Sequence, residues 1–153
     1  MDFTSSLYLK QADFIHPEKM AAQTVTSLDR MVGLIGIKPT ILSDWRPFDS
    51  KSPNSRHYYG DAVDTAWPGV DPLTVLDLAF KSQLWSGIGI YYNDRNVVSF
   101  HFDNRPDRSP TDPAKWGAFI THPYDPIKEM NVQMNEYTTM DAILDVLKKK
   151  GSV

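Results

Sequence analysis

Ser55-Arg56-His57-Tyr58-Tyr59-Gly60-Asp61-Ala62-Val63-Asp64 is the stretch on which the reading of this chain turns. It meets all five fixed positions of the pattern S-x-H-x-x-G-x-A-x-D. At average residue frequencies that match arises by chance on the order of once in ten thousand chains of this length. His57 offers a neutral imidazole and Asp64 a carboxylate, both good ligands for zinc. Gly60 permits a tight turn between them, and Ala62 leaves room for close packing beneath the site. A ligand on a loop followed by one on a strand fixes two corners of a tetrahedron. The third has to come from elsewhere in the chain, and a catalytic metal keeps its fourth position open.

The best third ligand lies downstream. Ser99-Phe100-His101-Phe102-Asp103 reads as a strand, so alternation puts His101 and Asp103 on one face and the two phenylalanines on the other. Two polar groups facing one way, with aromatics facing a core, suit a strand that lines a site. Residues 87–92 read as a partner strand, joined to residues 97–102 by a hairpin turn at Asn93-Asp94-Arg95-Asn96.

Further from the site, Pro17 at a first helical position and Ala21, Val25, Leu28 and Val32 at helical spacing predict a helix over 17–33, stopped by Gly33 and Gly36. Residues 40–45 read as a short strand, residues 47–60 as a loop and residues 62–65 as a brief strand. Asp71-Pro72 opens a second helix to about residue 83. Residues 104–126 hold five prolines and read as an ordered loop. A last helix over 140–150 presents Met140, Ile143, Leu144 and Leu147 on one face, with Thr138 and Asp141 as a capping box. This order predicts an α+β single domain, a small antiparallel sheet flanked by helices. Trp45, Trp67, Trp85 and Trp116 read as core, His16 and His122 as residues with no partner at ligand spacing. Tyr58 and Tyr59 flank the site, where they could contact a substrate.

Composition narrows the function classes. The 153 residues are 41% hydrophobic and 23% charged with a net charge of −3, enough chain for one core without cross-links. Basic residues are scattered, so neither nucleic acid nor membrane insertion is expected. There is no cysteine, which leaves His and carboxylate as the metal donors. Residues 1–6 show no basic region leading into an apolar run, so no signal peptide is expected.

With these motifs in place, the sequence resembles the M15 family of zinc D-Ala-D-Ala carboxypeptidases and phage L-alanyl-D-glutamate endopeptidases, whose fold is shared by vancomycin-resistance dipeptidases and Hedgehog signalling domains. The likeness runs over residues 14 to 120, through Ser43-Asp44-Trp45-Arg46, the His57–Asp64 segment, Gly87-Ile88-Gly89-Ile90-Tyr91, Phe100-His101-Phe102-Asp103-Asn104-Arg105 and Trp116-Gly117. It implies a Hedgehog/DD-peptidase-like domain over 1–123 with one Zn2+ held by His57, Asp64 and His101, and a C-terminal extension over 124–153. It also implies that Arg46 orients a substrate carboxylate or polarises the scissile carbonyl. One departure stands out. Many relatives carry a glutamate base three residues before the last histidine, where this chain has Val98, and the His-x-Asp form resembles a subgroup of the family. The His-x-Asp form makes Asp103 the candidate base, or a residue that orients a ligand, or itself the third ligand in place of His101. The function this implies is hydrolysis of peptidoglycan stem peptides by an endolysin or virion-associated lysin, in the host cytoplasm before lysis or on the virion. The rival is a virion or assembly protein that keeps the fold without catalysis, joined to a virion or tail partner through residues 124–153.

Overall fold

The computed structural model describes residues 2–151. In chain order it contains α1 (Ala22–Ile35), β1 (Thr40–Ser43), β2 (Ala62–Ala66), α2 (Pro72–Lys81), β3 (Gly87–Asn93), β4 (Val98–Asp103), β5 (Ala114–Thr121), β6 (Tyr124–Asp125), β7 (Met130–Asn131), β8 (Met134–Thr138) and α3 (Met140–Lys149). Short 3₁₀ turns occupy Gln11–Asp13, Pro17–Lys19 and Arg56–Tyr59. The domain is α+β, as expected.

Six strands form one sheet in the order β1-β2-β4-β3-β5-β8. The expectation of an antiparallel sheet needs correcting: β3 and β5 run parallel, so the sheet is mixed. The reason is edge availability. β2 and β3 already occupy both edges of β4, so the chain leaving β4 returns through residues 104–113 and adds to the far edge of β3. Part of the segment expected to be a loop is therefore strand β5. Its prolines flank the strand rather than interrupt it, which leaves every ladder donor in place.

The first helix also begins later than its periodicity suggests. The Ala21 N–H is claimed by the Gly60 carbonyl at 2.9 Å, so Ala21 stays extended and the helix starts at Ala22. Gly33 lies inside the helix, which ends at a left-handed Gly36. α3 is capped by Thr139, whose hydroxyl accepts the Ala142 N–H, rather than by Thr138.

One face of the sheet packs on the helices. Phe100 and Phe102 of β4, Ile88 and Ile90 of β3, Leu28 and Met31 of α1, and Ile143 and Leu147 of α3 are all buried there. Trp85 stacks on Phe102 at 5.2 Å between ring centroids, and its indole N–H meets the Met31 sulfur at 3.3 Å. Each such fully buried large apolar side chain contributes about 1.5–3 kcal/mol. The segment after residue 123 thus adds α3 to the core and β8 to the sheet. The opposite face carries Asp64, His101, Asp103, Tyr91 and Trp116, and it is there that polar groups accumulate.

Candidate metal centre

Three backbone devices bring the site together. His57 lies in the 3₁₀ turn Arg56–Tyr59, which Gly60 ends with a φ of +68°. A Cβ at Gly60 would also run into the Lys19 carbonyl oxygen. Only glycine serves both demands. Asp64 of β2 is the direct register partner of His101 on β4, so the two side chains stand beside each other on one face. Phe100 and Phe102 point into the core, as alternation requires.

The three side chains converge. His57 and His101 are buried and Asp64 is a quarter exposed at its side chain. Each offers one donor atom, and these atoms lie within 4.8 Å of one another, a group that could hold a metal ion. Asp64 reaches His57 Nε2 through Oδ2 at 3.2 Å and His101 Nδ1 through Oδ1 at 2.9 Å. The outer nitrogens are committed elsewhere. His57 Nδ1 bonds the main-chain oxygen of Asp44, which can only accept, so this nitrogen carries a proton and Nε2 is the one turned toward Asp64. His101 Nε2 meets Asp103 Oδ2 at 2.9 Å.

Asp103 stands behind His101, on the side of the ring away from Asp64, with no exposed surface at its side chain. Its carboxylate takes Arg105 Nε at 2.9 Å, Arg105 Nη2 at 2.6 Å and the Arg105 main-chain N–H at 3.1 Å. Close approach makes room for it: a Cβ on Gly87, its register partner, would collide with the carboxylate. Val98 packs against the core on the other face of β4. Even a glutamate there would point away from His101, because positions three apart on a strand face opposite ways.

Electrostatics ties the group together. Burial pushes the Asp64 carboxyl up, but hydrogen bonds to His101 and His57 outweigh it and hold the group well below the usual carboxylate range. Burial likewise opposes ionisation of Asp103, and the bonds from Arg105 and His101 prevail, holding it low. For His101, burial lowers the imidazole, while Asp103 and Asp64 raise it to about 9. The arrangement favours a positive charge between two carboxylates. A proton can supply that charge, and so can a metal cation.

The group opens on a cleft of about 650 Å³. Arg46 is at its mouth, with its backbone N–H on the His57 carbonyl at 3.4 Å and its guanidinium on the Ser55 hydroxyl at 3.0 Å. Arg56 and Arg105 also line the cleft but are paired with Asp61 and Asp103. Among the described residues, Arg46 and Lys51 line it without a carboxylate partner, and Asp64 is the one acidic side chain in its wall.

Several contributors were not singled out from the sequence. Asp44 is buried, accepts from the Ile15 and His16 N–H groups at 2.7 and 2.8 Å, and so fixes the carbonyl that His57 uses. His16 is drawn in as well, through a 2.9 Å contact with the same carboxylate. Trp116 lines the cleft instead of the core, its ring 5.2 Å from that of His101. Asn135 and Tyr137 of β8 form the far wall. Alternation along 87–92 would have grouped Tyr91 with the glycines, but only the register with β4 decides which face meets the site. Of the flanking tyrosines, Tyr58 is spent on the loop, its hydroxyl 2.8 Å from the Asp49 carbonyl and 2.7 Å from that of Ser52. Tyr59 is exposed over Arg56. His122 bonds Asp94 across the sheet edge, away from the cleft.

The fold and the site therefore define an α+β domain with a buried, preorganised His-Asp-His group at the base of a cationic cleft. No protein-family model, curated protein or solved structure matches the chain.

Proposed function

We propose that this chain is a zinc metallopeptidase that hydrolyses the stem peptides of bacterial peptidoglycan. One observation carries the reading. His57 and His101 each have one ring nitrogen tied outward, to the Asp44 carbonyl and the Asp103 carboxylate, while the other faces Asp64. Metal-binding histidines are oriented in this way, with the second nitrogen fixed by a carbonyl or carboxylate. The donor set of two imidazoles and one carboxylate suits zinc and leaves a fourth position for substrate or water. Zinc held there would supply Lewis acidity, polarising a substrate carbonyl and making water a better nucleophile.

The chain's own residues supply the remainder. Asp103 is sealed and saturated by Arg105 and His101, so of the roles open to it the geometry favours orienting His101. Arg46 and Lys51 give the cleft a positive wall, and the Arg46 guanidinium can take a carboxylate through two parallel donors. Stem peptides carry such carboxylates in D-glutamate and terminal D-alanine. A protein of this kind would act on the cell wall from the host cytoplasm, where it is held before lysis, or from a virion.

The test is direct. Purified protein should bind about one zinc per chain by elemental analysis and release new peptide ends from peptidoglycan by mass spectrometry. His57→Ala should lose stoichiometric zinc and the cleavage with it. A parent with a full zinc site that releases no new ends from any wall chemistry would favour the assembly role instead.

A further inference from the structure

We propose that Tyr91 is the substrate-facing hydrogen-bond donor of this site, its hydroxyl donating to the oxygen of the carbonyl under attack. The assignment rests on the peptidase reading above. Tyr91 lies on β3 two residues beyond Gly89, the register partner of His101. It therefore shares the face that carries His101 and Asp64, and it lines the same cleft. Its partner on β5 is Ala118, too small to crowd the phenol.

The direction of that phenol is set by Trp116. The indole N–H donates to the Tyr91 hydroxyl at 3.0 Å. The same indole packs 5.2 Å from His101 and 4.9 Å beneath the Arg105 guanidinium, so Tyr91 is held against the ligand group and not over open sheet. An indole can only donate. The contact fills a lone pair of the hydroxyl and leaves its proton without an acceptor among the described residues. The neighbouring Tyr92, on the core face, is the contrast: its hydroxyl donates to Asn96 Oδ1 at 2.6 Å and is spent.

The cationic donors near the ligands are engaged or lie at the mouth. Arg105 gives Nε and Nη2 to Asp103, and Arg46 is an exposed side chain at the mouth. Tyr91 is a half-buried donor held in place by Trp116, and its proton is still free. A neutral hydroxyl fixed beside the metal ligands is preorganised to meet charge that develops on a carbonyl oxygen, and it needs no reorganisation at the moment of reaction. Loss of one such donor costs about 10²–10³ in turnover.

Tyr91→Phe keeps the ring and removes the O–H. The experiment compares zinc-loaded parent and variant by zinc content, thermal unfolding, peptidoglycan cleavage, and calorimetric binding of a dialanyl phosphinate, whose tetrahedral oxygens imitate the charged centre. Zinc content should be unchanged. Turnover should fall about a hundredfold with KM within roughly threefold, and phosphinate affinity should fall at least about tenfold. Unchanged turnover and phosphinate affinity overturn the assignment. If the Phe variant does not fold, Trp116→Phe takes its place. That variant keeps the hydroxyl but releases its orientation, so a smaller loss of phosphinate affinity at full zinc supports the assignment and parental affinity overturns it. A parent that binds phosphinate but cleaves nothing sinks the peptidase reading, while an affinity loss in Tyr91→Phe still supports the donor. A parent that neither binds nor cleaves overturns both.

Discussion

Replacing Asp103 with Asn separates two roles for the same buried carboxylate. Each carboxylate oxygen serves two donors: Oδ1 takes the Arg105 main-chain N–H and Nε, and Oδ2 takes Arg105 Nη2 and His101 Nε2. An Asn amide keeps one oxygen, so its NH2 must face two N–H groups whichever way it turns. Breaking a buried ion pair from one side costs about 3–5 kcal/mol. Arg105 retains 23% exposure at its side chain and can recover some hydration, which places the loss near about 3 kcal/mol. For a domain of this length that lowers Tm by roughly 6–12 °C. His101 then loses the acceptor that orients it, and metal affinity should drop by about 10–100-fold. The assay is a zinc titration against a chromogenic chelator, followed by cleavage rates at rising zinc. If Asp103 orients His101, saturating zinc restores most of the turnover. A variant with parental zinc affinity whose turnover stays down by about a hundredfold or more would make Asp103 the base and refute the orienting role.

Two further outcomes are expected. Arg46→Lys keeps the charge but loses the forked donor pair, so cleavage of stem peptides should fall at least about tenfold at unchanged zinc content; parental rates would make Arg46 structural. Asp29, distant from the cleft, accepts the Leu7, Tyr8 and Leu9 N–H groups at 3.0, 2.9 and 2.8 Å. Burial pushes its carboxyl up, but these three N–H groups outweigh that and hold it below the usual range. Asp29→Asn turns an NH2 toward one set of these donors and should cost about 2 kcal/mol in urea unfolding at neutral pH. Because the folded-state pKa is depressed, this contribution is fully present above the unfolded value of about 3.9 and is lost as pH falls through the folded value. The gap between parent and variant should therefore narrow in acid, and a gap independent of pH would refute the charge-based account.

Local chemistry alone determined a good part of this protein. The pattern from Ser55 to Asp64, with the alternation around His101, named three residues that the fold does bring together. Turn position and alternation are set by neighbours in sequence, and Gly60 and the Phe-His-Phe run express them. The hairpin at Asn93–Asn96 and the apolar face of α3 were legible for the same reason. What sequence could not decide were relations between segments far apart in the chain. β5 became a parallel strand because β4 had no free edge, a fact about the sheet and not about residues 114–121. α1 lost its first turn because Gly60, 39 positions after Ala21, claimed that N–H. Alternation placed Asp103 on the site face as a base, an orienting residue or a ligand, and only the tertiary structure seals it behind His101, through Arg105 and the missing side chain of Gly87. Tyr91, Trp116 and Asp44 entered the site through strand register and tertiary hydrogen bonds. Periodicity assigns a residue to a face, but only packing determines what that face meets.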